Sequence, residues 1–173
     1  EPETFKAMKT LTPLLEKISV ERTFVEFDKL LRAPFWRVGL SSMIESQAYN
    51  YLPDMADSRD KLQKLFDLEA DFTFASSEQA WAALLWALEI KDAQPFLKHW
   101  KTSRQFVKQV QDLLTILALR EEGELSKRDC YRFDLDSLLQ AESLRQAQGK
   151  EVNTQAITET YQSLTIHDKK EIQ

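Results

Sequence analysis

The sequence predicts an all-α protein, a compact array of about nine or ten helices with no sheet. The first observation is composition: glycine is scarce, and the helix-favouring residues Leu, Ala, Glu, Lys and Gln are common. The second is spacing, because apolar residues recur at helical intervals while strand-like runs with turn dipeptides are almost absent. The third is length, since 173 residues fit one domain or two small ones and can bury a real core.

Charge and cysteine content exclude several classes of protein. The formal charge is −5, so the chain as a whole is not a basic nucleic-acid coat, and any RNA contact must come from a local patch. A single cysteine, Cys130, leaves no internal disulfide and no cysteine zinc site, which suits a reducing cytoplasm. No apolar run approaches a membrane span of about 18 residues. Because the chain starts at Glu1 without methionine, we expect it to be part of a longer protein.

The N-terminal third contains three predicted amphipathic helices after a helical start at Pro2 and a short helix at Thr12. Ser19 is the predicted N-cap of the first, whose polar line of Arg22, Glu26 and Lys29 we interpret as a solvated, salt-bridged face. Its predicted buried line consists of Val20, Phe24, Phe27, Leu30 and Leu31. The second helix follows Pro34, closes near Ala48 and uses Val38, Leu40, Met43 and Ile44. The third, capped by Asp57 or Ser58, contains Leu62, Leu65 and Phe66.

The stretch from residue 76 to residue 108 organises the rest of the chain. Ser76 and Ser77 are predicted to cap a helix, with Gln79 completing a capping box. This helix, centred on Trp81–Glu89, is apolar on most sides, so we expect it to be buried and surrounded by other helices. Its predicted buried face consists of Trp81, Leu84, Leu85 and Leu88.

Two further helices complete this stretch, with Asp92 capping the first and Ser103 opening the second. The second carries an apolar stripe of Phe106, Val110, Leu113, Leu114 and Leu117, and its opposite side consists of Arg104, Lys108 and Gln111.

The C-terminal segment is predicted to form three shorter helices. Gly123 lies where the long helix closes, and Ser126 caps a short helix that includes Cys130. Asp134 or Asp136 caps the next one, and Gly149 stops it. The last helix is capped by Asn153 or Thr154 and runs through Ile157, Tyr161 and Leu164.

One basic patch is the functional signal that the residues themselves support. Lys98, Lys101, Arg104 and Lys108 follow one another at three- and four-residue spacing, and no acidic residue occurs from Ala93 through Gln111. Such cations can neutralise successive phosphates without reading bases. A cluster this small is by itself more often a solvated face, so the residues alone leave two interpretations open, a solvated face and a phosphate-binding surface.

Motifs for catalysis or metal binding are missing. Asp134-Leu135-Asp136 spells D-x-D, but it opens a helix without a preceding Gly-Ser turn, so we interpret it as a cap. His167-Asp168 would need further histidines to bind metal, and His99 is the only other one. Cys130 on an amphipathic helix is predicted to be a core residue rather than a nucleophile. No catalytic, cofactor or metal residues are therefore predicted.

Three segments of the sequence resemble a known family. The segment Trp81 to Lys101 reads W-A-x-L-L-x-x-L-x-I-x-D-x-x-P-F-L-K-x-W-K and resembles the body domain of bacterial CCA-adding enzymes, tRNA nucleotidyltransferases of the Gram-positive type. Ser19 to Leu31, S-x-E-R-x-x-x-E-F-x-K-L-L, is similar to the end of the neck domain in the superfamily of these enzymes and bacterial poly(A) polymerases. Tyr51-Leu52-Pro53-Asp54 matches the family's Y-L-P-G segment, except that Asp54 replaces glycine.

The resemblance implies a division into the end of a neck domain (1–33), a body domain (34–122) and a partial tail domain (123–173). It implies a parent enzyme that adds C, C and A to tRNA 3′ ends from CTP and ATP. Catalysis, magnesium and the nucleotides belong to a head domain that this chain lacks, so the fragment should not catalyse. Body and tail would grip the backbone of the tRNA acceptor and T arms, and the four cations are then expected to contact tRNA phosphates.

Two alternatives stay open. The first is a fragment of a poly(A) polymerase-type relative with the same neck, which the Trp81–Lys101 motif disfavours. The second is a helical protein–protein interaction module without an RNA role, which would show a large exposed apolar patch in place of the basic stripe. If the stripe is only a solvated face, the RNA surface is expected around Lys127, Arg128 and Arg132.

Overall fold

The computed structural model describes residues 18–164, and helices dominate this range. Its α-helices are α1 (Val20–Arg32), α2 (Trp36–Glu45), α3 (Arg59–Leu62), α4 (Ser77–Ala87), α5 (Ala93–His99), α6 (Arg104–Glu122), α7 (Lys127–Arg132), α8 (Leu135–Ala147) and α9 (Thr154–Gln162). Two short 3₁₀ helices, Ala48–Tyr51 and Gln63–Asp67, join them, and no strand occurs within the described range. The predicted all-α fold is confirmed. The helices predicted at Pro2 and Thr12, and His167-Asp168, lie outside the described residues.

Helix α4 is the buried centre of the fold, as predicted. It packs against α1, α3, α6, α8 and the second 3₁₀ helix. Trp81, Leu84 and Leu85 have no exposed surface, whereas Trp86 is half-buried. A helix that is apolar on most sides is stable only when other elements cover those sides, and here four helices do so.

The ends of α4 differ from the prediction in two details. The Ser76 hydroxyl accepts a hydrogen bond from the backbone N–H of Gln79 at 3.0 Å, so Ser76 is the N-cap. The capping box is not completed, because Gln79 accepts from the backbone of Ala75 and donates to the carbonyl of Gln140. The helix ends at Ala87 rather than at Glu89, which has a left-handed backbone with φ of 63°.

Helix α1 packs onto the centre through aromatic rings. Phe24 stacks on Trp81 with ring centroids 4.7 Å apart, and Phe27 stacks on Trp100 at 5.8 Å. Phe106 meets Phe24 edge to face at 5.5 Å. Aromatic pairs in these arrangements stabilise contacts beyond their buried area. The cluster therefore ties α1 to α4, to the end of α5 and to the start of α6.

Helix α2 and the segment after it correct three expectations. Val38 is exposed, while Trp36, the first residue of α2, is fully buried and donates to the Phe72 carbonyl at 2.9 Å. The helix ends at Glu45, before the predicted Ala48. Ser58 does not cap α3 through its side chain, because its hydroxyl donates to the Met55 carbonyl.

The C-terminal helices follow the predicted capping pattern. The side chains of Ser103, Ser126 and Asp134 each accept a backbone N–H at the start of α6, α7 and α8, and Ser126 forms a full capping box with Asp129. Gly149 stops α8 with φ of 77°, while the N–H of the following residue, Lys150, donates to the Arg145 carbonyl at 3.0 Å. These bonds are those of a Schellman motif, which favours glycine. Asn153 stands at the N-cap of α9 without a side-chain bond.

One continuous hydrophobic core runs through the described part of the chain, from Phe27 in α1 to Ile157 in α9. The predicted stripe of α6 lies in it: Val110, Leu113, Leu114 and Leu117 are buried, and Phe106 packs against it. Cys130 is also buried, as predicted. None of the helices described here has the length and apolar character needed to cross a membrane.

Candidate nucleic-acid interface

The four predicted cations lie around the connection between α5 and α6. Lys98 is in the last turn of α5, Lys101 lies in the link, Arg104 opens α6, and Lys108 follows one turn later. All four side chains are exposed. Their placement at two helix ends and a link makes them accessible to a large anionic partner.

Lys101 has an unusual backbone, with φ of 56°. Its N–H donates to the Lys98 carbonyl at 3.0 Å, and that of Thr102 donates to the Leu97 carbonyl at 3.3 Å. This Schellman motif ends α5 with Lys101 at the position that usually holds glycine. The spacing from Lys101 to Arg104 therefore crosses a helix break, whereas Arg104 and Lys108 keep the i, i+4 spacing of one helix.

The fold brings carboxylates to two of the cations. Lys101 Nζ lies 3.5 Å from Glu21 Oε1 at the start of α1, and Lys108 Nζ lies 2.8 Å from Asp112 Oδ2. The acid-free window in the sequence did not predict these pairs, because Glu21 is distant in sequence and Asp112 lies just outside the window. Lys98 and Arg104 form no ion pair with another described residue.

Gln111, which the sequence placed opposite the apolar stripe of α6, connects two elements through its side-chain amide. Its Oε1 accepts from the backbone N–H of Ala93 at 2.8 Å, and its Nε2 donates to the Lys91 carbonyl at 3.1 Å. These bonds join the start of α5 to the middle of α6. They help to fix the helix pair that carries the basic side chains.

The second group of basic residues lies on the single short helix α7. Arg128 and Arg132 are exposed, and the Arg132 guanidinium lies 5.0 Å from the centroid of the Phe133 ring. Lys127 is exposed as well. The helix that carries them has 6 residues.

The sequence motifs considered for metal binding have structural partners. Asp134 caps α8 by accepting from the N–H of Ser137 at 2.7 Å, so its interpretation as a cap is confirmed. His99 Nδ1 lies 2.5 Å from Oδ2 of Asp54, which has the left-handed backbone expected where the resembled family has glycine.

Burial, helped by nearby Asp129, raises the pKa of the Cys130 thiol. Between residues 18 and 164, no three His, Cys, Asp or Glu side chains are grouped to hold a metal ion.

A groove of about 910 Å³ lies beside α4, lined in part by Trp86, Ile90 and Leu114. Two lysines of its lining are paired with carboxylates: Lys64 contacts Glu89 at 2.7 Å, and Lys150 contacts Glu121. The lysine hydrogen bond in each pair lowers the pKa of the carboxyl group.

A buried polar network joins α6, α8 and the loop before α9. Arg120 Nε donates to Glu142 Oε1 at 2.5 Å, and both side chains are almost fully buried. Glu142 Oε2 accepts from the N–H of Asn153, while Arg120 and Arg145 donate to the Glu151 carbonyl. Helical periodicity alone did not reveal this network. The sequence indicates it only in that Arg120 and Glu142 are charged residues on otherwise apolar helix faces.

Comparisons with known proteins agree on one family. The model of tRNA nucleotidyltransferase domain 2 matches residues 72–173, and the model described as probable RNA and SrmB-binding site of polymerase A matches residues 1–58. Over its full length the chain is 87% identical to a CCA-adding enzyme of Streptococcus pneumoniae. It is 59% identical, over 99% of its length, to that of Streptococcus sanguinis.

A solved structure gives the same result. The crystal structure of the Bacillus stearothermophilus CCA-adding enzyme in complex with CTP superimposes with a TM-score of 0.83 and 31% identity. The match covers 99% of this chain and 44% of that one. The chain likewise spans 43% of the length of the streptococcal relatives.

Proposed function

We propose a function from one premise: the chain belongs to the family of CCA-adding tRNA nucleotidyltransferases. In this proposal it is the tRNA-binding C-terminal portion of an enzyme that extends tRNA 3′ ends with CCA from CTP and ATP. The observation that carries it is the 87% identity over the whole chain to a relative named as a CCA-adding enzyme. The segments 1–33, 34–122 and 123–173 would be neck end, body and partial tail.

Catalysis is assigned to the part of the enzyme outside this chain. The resemblance to the family implies that the magnesium ions and the nucleotide site belong to the head domain. Between residues 18 and 164, no three metal-ligating side chains are grouped. The activity belongs to the cytoplasm, where a single reduced cysteine is ordinary.

The basic surface would bind tRNA backbone rather than bases. Lys98 and Arg104 are exposed and have no ion pair within the described range, so phosphates can reach them directly. Lys101 and Lys108 can join them once their carboxylates are displaced or shared. Contacts of this kind are insensitive to sequence. They suit a partner set that includes every tRNA, held by the acceptor and T arms.

The two alternatives are weaker on these observations. A poly(A) polymerase relative agrees with the family match over residues 1–58 but not with the match over residues 72–173. For an interaction module, a patch of several hundred Å² would need several neighbouring exposed apolar side chains. Of the exposed large apolar residues described, only Phe35, at 78%, has more than half of its surface exposed.

Nucleotide incorporation tests this function. The full-length enzyme, given tRNA that lacks CCA, magnesium and labelled CTP and ATP, should add two C residues and one A and then stop. The chain alone should give no extension above a heat-killed control. A long A tail from the full-length enzyme would establish the poly(A) alternative, and any extension by the chain alone would overturn the assignment of catalysis to the head.

A further inference from the structure

We propose that Glu21 lowers the affinity of the surface for RNA, because its carboxylate forms an ion pair with the Lys101 ammonium group that an RNA phosphate must displace. This inference rests on the proposed function, since it needs Lys101 to contact RNA. The basic link is the connection between α5 and α6 with its four cations, Lys98, Lys101, Arg104 and Lys108. Glu21 lies outside it, in helix α1. Binding of RNA then exchanges one ion pair for another at Lys101.

Core packing places the backbones of Glu21 and Lys101 near each other. Glu21 is in the first turn of α1, and Phe24, less than one turn later, packs against Trp100 and Phe106 with centroids 6.3 and 5.5 Å away. These two rings flank the link that contains Lys101. Because core packing fixes both backbones, the Glu21 carboxylate and the Lys101 ammonium group stay within reach of each other in the folded protein.

The contact is weak enough to be displaced. The side chains of Lys101 and Glu21 are 63% and 60% exposed, and their atoms are 3.5 Å apart. Exposed ion pairs of this kind change an equilibrium by about 1.5- to 5-fold. After displacement, Glu21 still lies in the first turn of α1, where the positive end of the helix dipole stabilises a carboxylate. An RNA phosphate, surrounded by Lys98 and Arg104 as well, can therefore replace it.

Asp112 stands in a different relationship to Lys108. That pair lies within α6 at i, i+4 spacing, and the Asp112 side chain is only 22% exposed. Its carboxylate shares one helix with the cation, so it restrains Lys108 locally without linking two elements. Glu21 is the carboxylate that couples the neck-end helix to the basic link.

The predicted effect of removing this carboxylate is tighter RNA binding. In the full-length enzyme, Glu21→Gln should raise affinity for a CCA-lacking tRNA transcript about 1.5- to 5-fold at low salt, because Lys101 no longer exchanges partners. The gain should shrink as salt rises, since exposed charges are screened. Glu26→Gln is the matched control: Glu26 lies on the same helix with 55% side-chain exposure and contacts Lys29 instead. It should have a smaller effect.

A double-mutant cycle with Lys101→Gly decides the proposal. We expect the effect of Glu21→Gln to vanish in the Lys101→Gly background, while Lys101→Gly alone weakens binding. If Glu21→Gln tightens binding equally in both backgrounds, or no more than Glu26→Gln does, the gain is a general charge effect and the proposal is overturned. If Lys101→Gly leaves affinity unchanged, Lys101 does not contact RNA, which overturns both this proposal and the assignment of Lys101 to the RNA surface. Circular dichroism of each variant checks that the fold is kept.

Discussion

The indole Nε1 of Trp81 donates a hydrogen bond to Oδ1 of Asp28 across a distance of 3.0 Å. Through this bond the central helix α4 holds helix α1. The second carboxylate oxygen of Asp28 accepts from the hydroxyl of Ser77 at 3.0 Å. A buried tryptophan N–H usually has such an acceptor. The contact lies within the aromatic cluster that also packs against the basic link, so the same packing stabilises the fold and positions the candidate surface.

Replacing Trp81 should strongly destabilise the chain. Trp81→Ala is expected to lower the free energy of unfolding by about 3–5 kcal/mol, because it empties a fully buried site and removes the indole donor to Asp28 Oδ1. Urea unfolding followed by circular dichroism measures the change. Trp86→Ala, on the same helix but at a half-buried site, should cost less. A change near zero for Trp81→Ala would show that α4 is peripheral.

Breaking the buried Arg120–Glu142 pair should also be costly. Glu142→Ala leaves the Arg120 guanidinium buried without its carboxylate, which is expected to cost about 3–5 kcal/mol of unfolding free energy. Glu122→Ala, which removes an exposed carboxylate nearby, should stay within about 0.5 kcal/mol. The double variant Arg120→Met with Glu142→Leu should recover much of the loss, since it removes both charges. A double variant less stable than Glu142→Ala would contradict this account of the network.

Lys101→Gly should stabilise the fold. A left-handed backbone costs a residue with a side chain about 1–2 kcal/mol, and the greater entropy of unfolded glycine offsets about 0.4–1 kcal/mol of the gain. We expect a net increase of about 0.5–1 kcal/mol in urea unfolding. Lys98→Gly, inside helix α5, should instead cost about 1 kcal/mol. The prediction fails if both variants lose stability equally.

The Cys130 thiol should be unreactive in the folded protein. Burial raises its pKa, so the thiolate that reacts with alkylating reagents is even rarer near neutral pH than in a free cysteine. Iodoacetamide labelling at pH 8, read by mass spectrometry, should be slow without denaturant and complete in urea. Rapid labelling of the native chain would mean that α7 opens readily or that Cys130 is exposed.

The helix starts could be predicted because a cap is a local interaction. Ser19, Ser76, Ser103 and Asp134 each accept an N–H from the residue three positions ahead, which a short stretch of sequence encodes. Interactions between distant residues could not be predicted in this way. Gln79 completes no capping box because tertiary packing offers it the Gln140 carbonyl, a partner that the local pattern does not contain.

For the candidate surface too, local features could be predicted and contacts between distant residues could not. The exposure of its four cations followed from helical spacing and polar character. The ion pair of Lys101 with Glu21 depends on how α1 packs, and the left-handed backbone of Lys101 depends on where α5 ends. Lysine gives no local signal for such a backbone, because glycine and asparagine are the usual residues there.

A matched set of variants isolates the basic link from net charge. Arg59, Lys61 and Lys91 are exposed cations outside the α5–α6 connection. Replacing these three with alanine changes the net charge by the same amount as replacing three cations of the link. We expect this control triple variant to bind tRNA with nearly wild-type affinity and salt dependence.

The central claim is that the link between α5 and α6 contacts tRNA phosphates. The most direct test is tRNA affinity of the full-length enzyme at several salt concentrations, with Lys101, Arg104 and Lys108 replaced together by alanine. Each lost phosphate contact should reduce the slope of log affinity against log salt by about one unit, for every tRNA alike. We therefore predict weaker binding and a slope lower by about two to three units. Wild-type affinity and slope would show that these cations are only a solvated face and that tRNA binds elsewhere.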